Sequence, residues 1–224
     1  NSAGEYESGI YVQGNLSIGN TYTTSNNPND YEKIRLRGPI YVNGDLEIIG
    51  ADAEFDALIY VNGEVTIRNS RINGITENGR ESSLVVFANK NIQIANISVN
   101  QNEPSKIRGF FYSNEAFEMY GVGSNIRIEG GISARRIALN AIRGRASENS
   151  NNVPNGQAIH TDTEYIFIFP SKVYTYFENP NNQPSRDSRL QVIHNAGLLE
   201  NYSDLQQSGT LIKNLDPPEL ISRD

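Results

Sequence analysis

Ile40-Tyr-Val-Asn-Gly-Asp-Leu-Glu-Ile48 returns 19 residues later as Ile59-Tyr-Val-Asn-Gly-Glu-Val-Thr-Ile67. Both copies place apolar residues at the first, third, seventh and ninth positions around a central Gly. Four further stretches share this nine-residue frame with apolar or small residues at those positions: Ile10 to Ile18, Val86 to Ile94, Phe111 to Met119 and Gly131 to Leu139. Their starts are separated by 30, 19, 27, 25 and 20 residues. A fixed frame recurring at such intervals is the mark of a repeat architecture. The shortest spacings match three short strands and three turns, and the longer ones read as the same unit with loop insertions.

The Asn43-Gly44 and Asn62-Gly63 pairs sit between alternating apolar residues, which is also the strongest short-range hairpin signal. Parity opposes a hairpin. Around Asn43-Gly44 residue i would pair with residue 87 − i, placing Ile40 opposite Glu47 and Val42 opposite Asp45. Ile40, Val42, Leu46 and Ile48 would then divide between two faces, which a half-buried sheet does not tolerate. A corner between successive strands of a coil keeps all four inward. The expected corner uses a left-handed residue, a conformation Gly accepts freely and Asn tolerates.

A second motif precedes the frame. Ile34-Arg-Leu-Arg-Gly-Pro-Ile40 and Ile126-Arg-Ile-Glu-Gly-Gly-Ile132 match, with a shortened relative at Lys106-Ile-Arg-Gly-Phe110. It supplies the third strand of the coil. The fold expected is therefore all-β: a single-stranded parallel β-helix, right-handed by default, burying a narrow column of Ile, Val, Leu and Phe. A β-sandwich is the alternative. Residues 1–145 are expected to form the coils. Residues 146–224 are expected to supply a capping strand, loops and a C-terminal tail packed on the solenoid, since an open coil end exposes unpaired backbone. Within that region Tyr165 to Pro170 reads as one strand, Ala146 to Gly156 as an exposed loop, and Arg189 to Leu211 as containing a short, weakly helical stretch. Asn20 to Asp30 reads as a loop between coils.

Composition narrows the function. With Gly counted and Tyr left out, apolar residues make up roughly 40% of the 224, below the globular norm of roughly 45–50%. Nineteen basic against 26 acidic residues leave a net charge of −7, with no basic surface to hold a phosphate backbone, so nucleic acid is excluded as an expected partner. No apolar run reaches the length of a membrane span. The chain opens at Asn1 without a Met, so a processed or truncated product is expected, whose preceding segment could have held a signal peptide or membrane anchor. Zero Cys removes disulfides, Cys-based zinc sites and thiol nucleophiles.

The sharpest candidate feature is the second frame position: Tyr11, Tyr41, Tyr60, Phe87, Tyr112 and Ile132. In register these residues form an exterior stripe about 4.8 Å apart from coil to coil. Covered by loops or tail, the stripe adds stability through stacking. Uncovered, it is a platform for sugar rings or a partner protein. Candidates for chemistry are few. His160 and His194 have no periodic relation, and Asp52, Glu54 and Asp56 lack the order of a Ca²⁺ loop and read as solvated. Asp162 and Glu164 form a carboxylate pair of unspecified separation. Arg135, Arg136, Arg143 and Arg145 make a small basic cluster that an anionic glycan would suit. No catalytic residue, metal site or cofactor is expected.

The frame Ile-x-Val-x-Gly-x-Leu-x-Ile resembles bactofilin-type and other polymer-forming bacterial β-helices. The runs Arg108-Gly-Phe-Phe-Tyr-Ser, Tyr120-Gly-Val-Gly-Ser-Asn-Ile-Arg-Ile-Glu-Gly-Gly-Ile-Ser-Ala and Leu139-Asn-Ala-Ile-Arg-Gly resemble pilus-assembly-associated secreted proteins of Gram-positive envelopes. The resemblance covers residues 10–145. It implies architecture and a bacterial surface setting, and it offers no catalytic residues. The expected function is a non-catalytic extracellular structural or adhesin-like module of a bacterial cell envelope, in which pilus association and oligomers find a place. Its partner would be a protein or glycan at the cell surface, and it would meet a membrane only through a missing N-terminal anchor. The alternative is a polysaccharide-binding or polysaccharide-cleaving β-helix of the pectate-lyase or tailspike type. Against cleavage stands frame position eight, Ser17, Glu47, Thr66, Gln93, Glu118 and Ala138, which repeats no carboxylate.

Overall fold

Four inward apolar side chains per frame can share one core only if the chain turns a corner between each pair. The computed structural model describes residues 9–22, 27–96, 103–120, 125–140, 189–195 and 197–200, and the backbone alone of 146–149, 158–166 and 169–177. It is all-β. The first two frames bring β1 (Ile10–Val12), β2 (Leu16–Ile18), β3 (Glu32–Val42) and β4 (Leu46–Ile49). Next come β5 (Ala51–Val61), β6 (Val65–Arg68), β7 (Arg71–Gly74), β8 (Thr76–Glu77), β9 (Arg80–Glu81), β10 (Leu84–Ala88) and β11 (Ile92–Ala95). The long strands β12 (Ser105–Tyr120) and β13 (Ile126–Asn140) follow, then β14 (Ala146–Asn149), β15 (Ala158–Ile166), β16 (Phe169–Phe177) and β17 (Leu190–His194).

Successive frames pair in parallel and in register. The first ladder aligns Ile10, Ile40, Ile59, Val86, Phe111 and Ile132. The second aligns Leu16, Leu46, Val65, Ile92, Phe117 and Ile137. A third, built from the motif that precedes the frame, aligns Ile34, Ala53, Ile72, Ile107, Ile128 and Val192. The inward residues of all three meet in one core, in which Phe55, Phe111, Phe117, Ile40, Leu46 and Ile59 are fully buried. Each such side chain contributes roughly 1.5–3 kcal/mol by leaving water. The parallel pairing leaves no room for a sandwich of antiparallel sheets.

The sixth frame departs from its expected start. Phe111 pairs with Ile132 and Tyr112 with Ser133, so the frame begins at Ile132 and not at Gly131, and Ser133 takes the stripe position expected of Ile132. Ser113 to Ala116 then faces Ala134 to Arg136, one residue shorter, which restores Ile137 and Leu139 to their expected places opposite Phe117 and Met119.

The corners also differ from expectation. Among the described residues neither Asn43-Gly44 nor Asn62-Gly63 has a positive φ; positive φ occurs one corner later, at Gly19 (φ 94°), Gly50 (φ 61°) and Asn69 (φ 46°), and in the motif before the frame, at Gly38 (φ 94°) and Gly130 (φ 146°). Gly is required at 44 and 63 for space. A Cβ on Gly63 would run into Asp45 Oδ1 and stand 2.6 Å from the Gly44 carbonyl oxygen; one on Gly44 would stand 2.8 Å from the Gly14 carbonyl carbon. The corners stack backbone on backbone. Asn15 Oδ1 accepts from the Asp45 N–H at 2.9 Å and Asp45 Oδ1 from the Glu64 N–H at 2.8 Å, so each corner satisfies the next.

Beyond Asn140 the pattern changes. β17 extends the third ladder by pairing with β13, Ile126 opposite Leu190 through Gly130 opposite His194. Leu198, in the single helical turn Gly197–Glu200, is buried, and its carbonyl accepts from Ser83 Oγ at 3.5 Å. The short helical stretch expected within Arg189 to Leu211 is the turn Gly197–Glu200, which strand β17 precedes. Two expectations for this region are corrected. The stretch Tyr165 to Pro170 holds the ends of two antiparallel strands, with Tyr165 opposite Pro170 and Ile166 opposite Phe169. Part of the expected loop Ala146 to Gly156 is strand β14, at one edge of the three-stranded sheet β14-β16-β15.

Candidate functional site

The outward residue between the first and third frame positions projects its ring from every layer of the first ladder except the last. Tyr11, Tyr41, Tyr60, Phe87 and Tyr112 fall in one column by strict pairing. Tyr41 and Tyr60 stack with ring centroids 5.0 Å apart and planes 9° apart; Tyr60 and Phe87 stack at 5.4 Å and 16°. Phe87 and Tyr112 splay by 48° at 5.6 Å. Such pairs add about 0.5–1.5 kcal/mol each beyond buried area. Tyr41, Tyr60, Phe87 and Tyr112 remain 38–46% exposed and Tyr11 64%. Stacking covers the faces of the inner rings against one another and leaves their edges as the exposed part. Burial, and secondarily the neighbouring Tyr41, raise the Tyr60 phenol above its usual range.

Beside this column runs a second, which the sequence reading did not single out. Frame position four is Asn43, Asn62, Asn89 and Asn114. Asn62 Nδ2 donates to Asn43 Oδ1 at 3.3 Å, Asn89 Nδ2 to Asn62 Oδ1 at 3.3 Å, and Asn114 Nδ2 to Asn89 Oδ1 at 2.9 Å. The Tyr112 hydroxyl donates to Asn114 Oδ1 at 3.0 Å and ties the two columns together. The signal was available as one residue type at one frame position in four copies. Between the columns lies an open trough of about 360 Å³, lined by Tyr11, Tyr41, Val42, Asn43, Tyr60, Val61, Asn62, Phe87, Ala88, Asn89, Tyr112 and Asn114. None of these side chains carries a formal charge.

The other flanks are charged or self-satisfied. On the third ladder, Arg35 reaches Glu54 at 3.7 Å and Glu77 at 3.1 Å, and Arg37 also pairs with Glu77. Arg108 reaches Glu81 at 2.9 Å and Glu129 at 3.6 Å. Glu77 and Glu81 belong to the small β8–β9 hairpin, which these arginines hold against the ladder. The Arg37 hydrogen bond keeps the Glu77 carboxyl below its usual range. On the second ladder Gln93 Nε2 donates to Glu118 Oε2 at 3.3 Å and the Tyr120 hydroxyl to the same oxygen at 2.8 Å, which raises the Tyr120 phenol.

The remaining candidates are dispersed. Asp52, Glu54 and Asp56 stand on strand β5 and not in the expected solvated loop, with Glu54 paired to Arg35. Among the described residues no three His, Cys, Asp or Glu side chains gather closely enough for a metal ion. His194 lies edge-on to Phe110, ring centroids 6.3 Å apart. His160, Asp162 and Glu164 lie on β15, their side chains outside the described residues, as are Arg143 and Arg145. Arg135 and Arg136 are exposed on β13. Among the described residues no helix is long and apolar enough to cross a membrane.

Residues 1–153 match the family model described as domain of unknown function (DUF7305). No curated protein and no solved structure matches the chain.

Proposed function

The chain belongs to the DUF7305 family, and we propose that it is a non-catalytic structural module of a bacterial cell envelope. In this reading the stacked layers form a right-handed, single-stranded parallel β-helix outside the cell that presents one flank to a protein or glycan of the cell surface. The observation that carries the reading is the paired aromatic and asparagine columns. Similar chemistry repeated from layer to layer builds a line, and a line suits an extended partner, whereas catalysis needs unlike groups converging on one point. The resemblance of residues 10–145 to polymer-forming envelope β-helices points the same way.

The test is binding of the purified chain to isolated bacterial cell envelopes, beside a Tyr41→Ala/Tyr60→Ala variant whose fold is checked by circular dichroism. Saturable binding by the native chain that the variant loses is the expected result. Equal binding by both proteins, or by neither, contradicts a contact role for this flank. Release of reducing ends from envelope polysaccharide would contradict the non-catalytic reading.

A further inference from the structure

Asn carries two N–H donors and two acceptor lone pairs. In the column, Asn62 and Asn89 each give one donor and one acceptor to their neighbours above and below. Each is left with one N–H and one lone pair at an exposed position on the wall of the trough. The column fixes the orientation of every amide, so little side-chain freedom remains to be lost when a ligand arrives. A donor and an acceptor held side by side are the complement of a sugar hydroxyl pair. The rings of Tyr41 and Tyr60, partly exposed, line the same trough, while Tyr11 has no stacking partner among the described rings.

We propose that this trough binds a neutral, linear polysaccharide lying along the stack, with the Asn43–Asn114 column as its hydrogen-bonding wall and the aromatic column as its apolar wall. The inference rests on the contact-module reading and names the ligand of that flank. Two observations select the ligand. The trough lining has no formal charge in a chain of net charge −7, so neither an anionic glycan nor a nucleic acid meets an opposite charge there. The five rings span four strand spacings, about 19 Å, and beside them the four asparagines repeat one amide donor and acceptor over three spacings, about 14 Å. Such a ruler suits a polymer with repeating hydroxyls.

Cellohexaose, chitohexaose and laminarihexaose, with polygalacturonate as the anionic control, would be titrated into the full chain by calorimetry. Side-chain amide resonances of Asn43, Asn62, Asn89 and Asn114 would be followed in the same titration. Saturable binding of a neutral hexasaccharide that shifts those resonances is expected. An Asn62→Ala/Asn89→Ala variant should bind about thirtyfold more weakly, the loss of two hydrogen bonds. The amide resonances are read on the native chain, so the result stands if the variant fails to fold. No binding of any neutral oligosaccharide, binding that leaves the four amides unmoved, or preference for polygalacturonate overturns the proposal. No binding of any of these saccharides, combined with envelope binding lost in Tyr41→Ala/Tyr60→Ala, would leave the contact-module reading in place with a protein as the partner.

Discussion

Asn62-Gly63 and Asn78-Gly79 are the same dipeptide 16 residues apart, and they fold differently. Asn78 (φ 51°) and Gly79 (φ 77°) are both left-handed and close a hairpin that pairs Thr76 with Glu81 and Glu77 with Arg80. Asn62 and Gly63 have no positive φ and join β5 to β6 at a corner. The flanks account for the difference. Ile59, Val61, Val65 and Ile67 are all buried, and a hairpin would turn half of them outward, whereas Thr76, Glu77, Arg80 and Glu81 have no inward set to protect. The dipeptide permits a hairpin, and the parity of the neighbouring apolar residues decides whether one forms.

One insult applied to both flanks gives the largest contrast. Val65→Asp buries a carboxylate in the core and should cost more than about 4 kcal/mol, enough to abolish a cooperative thermal transition, while Thr76→Asp should stay within about 0.5 kcal/mol of the native chain. Similar melting curves would break the comparison. At the dipeptides themselves, Gly63→Ala forces a methyl group into the corner below and should cost about 2–3 kcal/mol, against about 1 kcal/mol for Gly79→Ala, which meets only backbone strain in open space. Equal shifts in denaturant midpoint would mean that stacking does not select Gly at 63. A smaller loss, about 1 kcal/mol, is expected for Asn89→Ala, which removes two rungs of the exposed amide column.

The smallest effect is local. Glu77 has a folded-state pKa below its unfolded value, so the stability it gives the hairpin is fully present above the ordinary Glu range and is lost as pH falls through the lowered value. The protection factors of residues 76–81, exchange rates corrected for the intrinsic pH dependence of amides, should therefore fall on acidification below about pH 4 while residues 59–67 stay protected. An equal loss of protection in both segments would show that the arginine contacts do not anchor the hairpin.

The layers were legible because inward residues obey a simple rule: Ile40, Val42, Leu46 and Ile48 repeat as Ile59, Val61, Val65 and Ile67. The aromatic column followed from the same register. What was illegible depends on relations between layers. Gly44 and Gly63 signalled left-handed corners, but their Cβ positions are blocked by the preceding layer, a contact that no single frame displays. The amide column arises only when Asn43, Asn62, Asn89 and Asn114 are brought into line. At the sixth frame, the motif ending in Ile132 placed that residue with Ile40, as the pairing does, while the nine-residue frame gave Gly131. One residue lost at the following corner had displaced the count.

The central claim is that the Asn-Gly pairs of the frame are corners between stacked parallel strands, and cysteine pairing tests it directly in a chain that has no Cys of its own. Glu47 and Thr66 are outward register partners on adjacent parallel strands, close enough for a disulfide. Under mild oxidation Glu47→Cys/Thr66→Cys should form an intramolecular disulfide, and Ile40→Cys/Glu47→Cys, the pair a hairpin at Asn43-Gly44 would bring together, should not. Cross-linking of the second pair in place of the first would contradict the account.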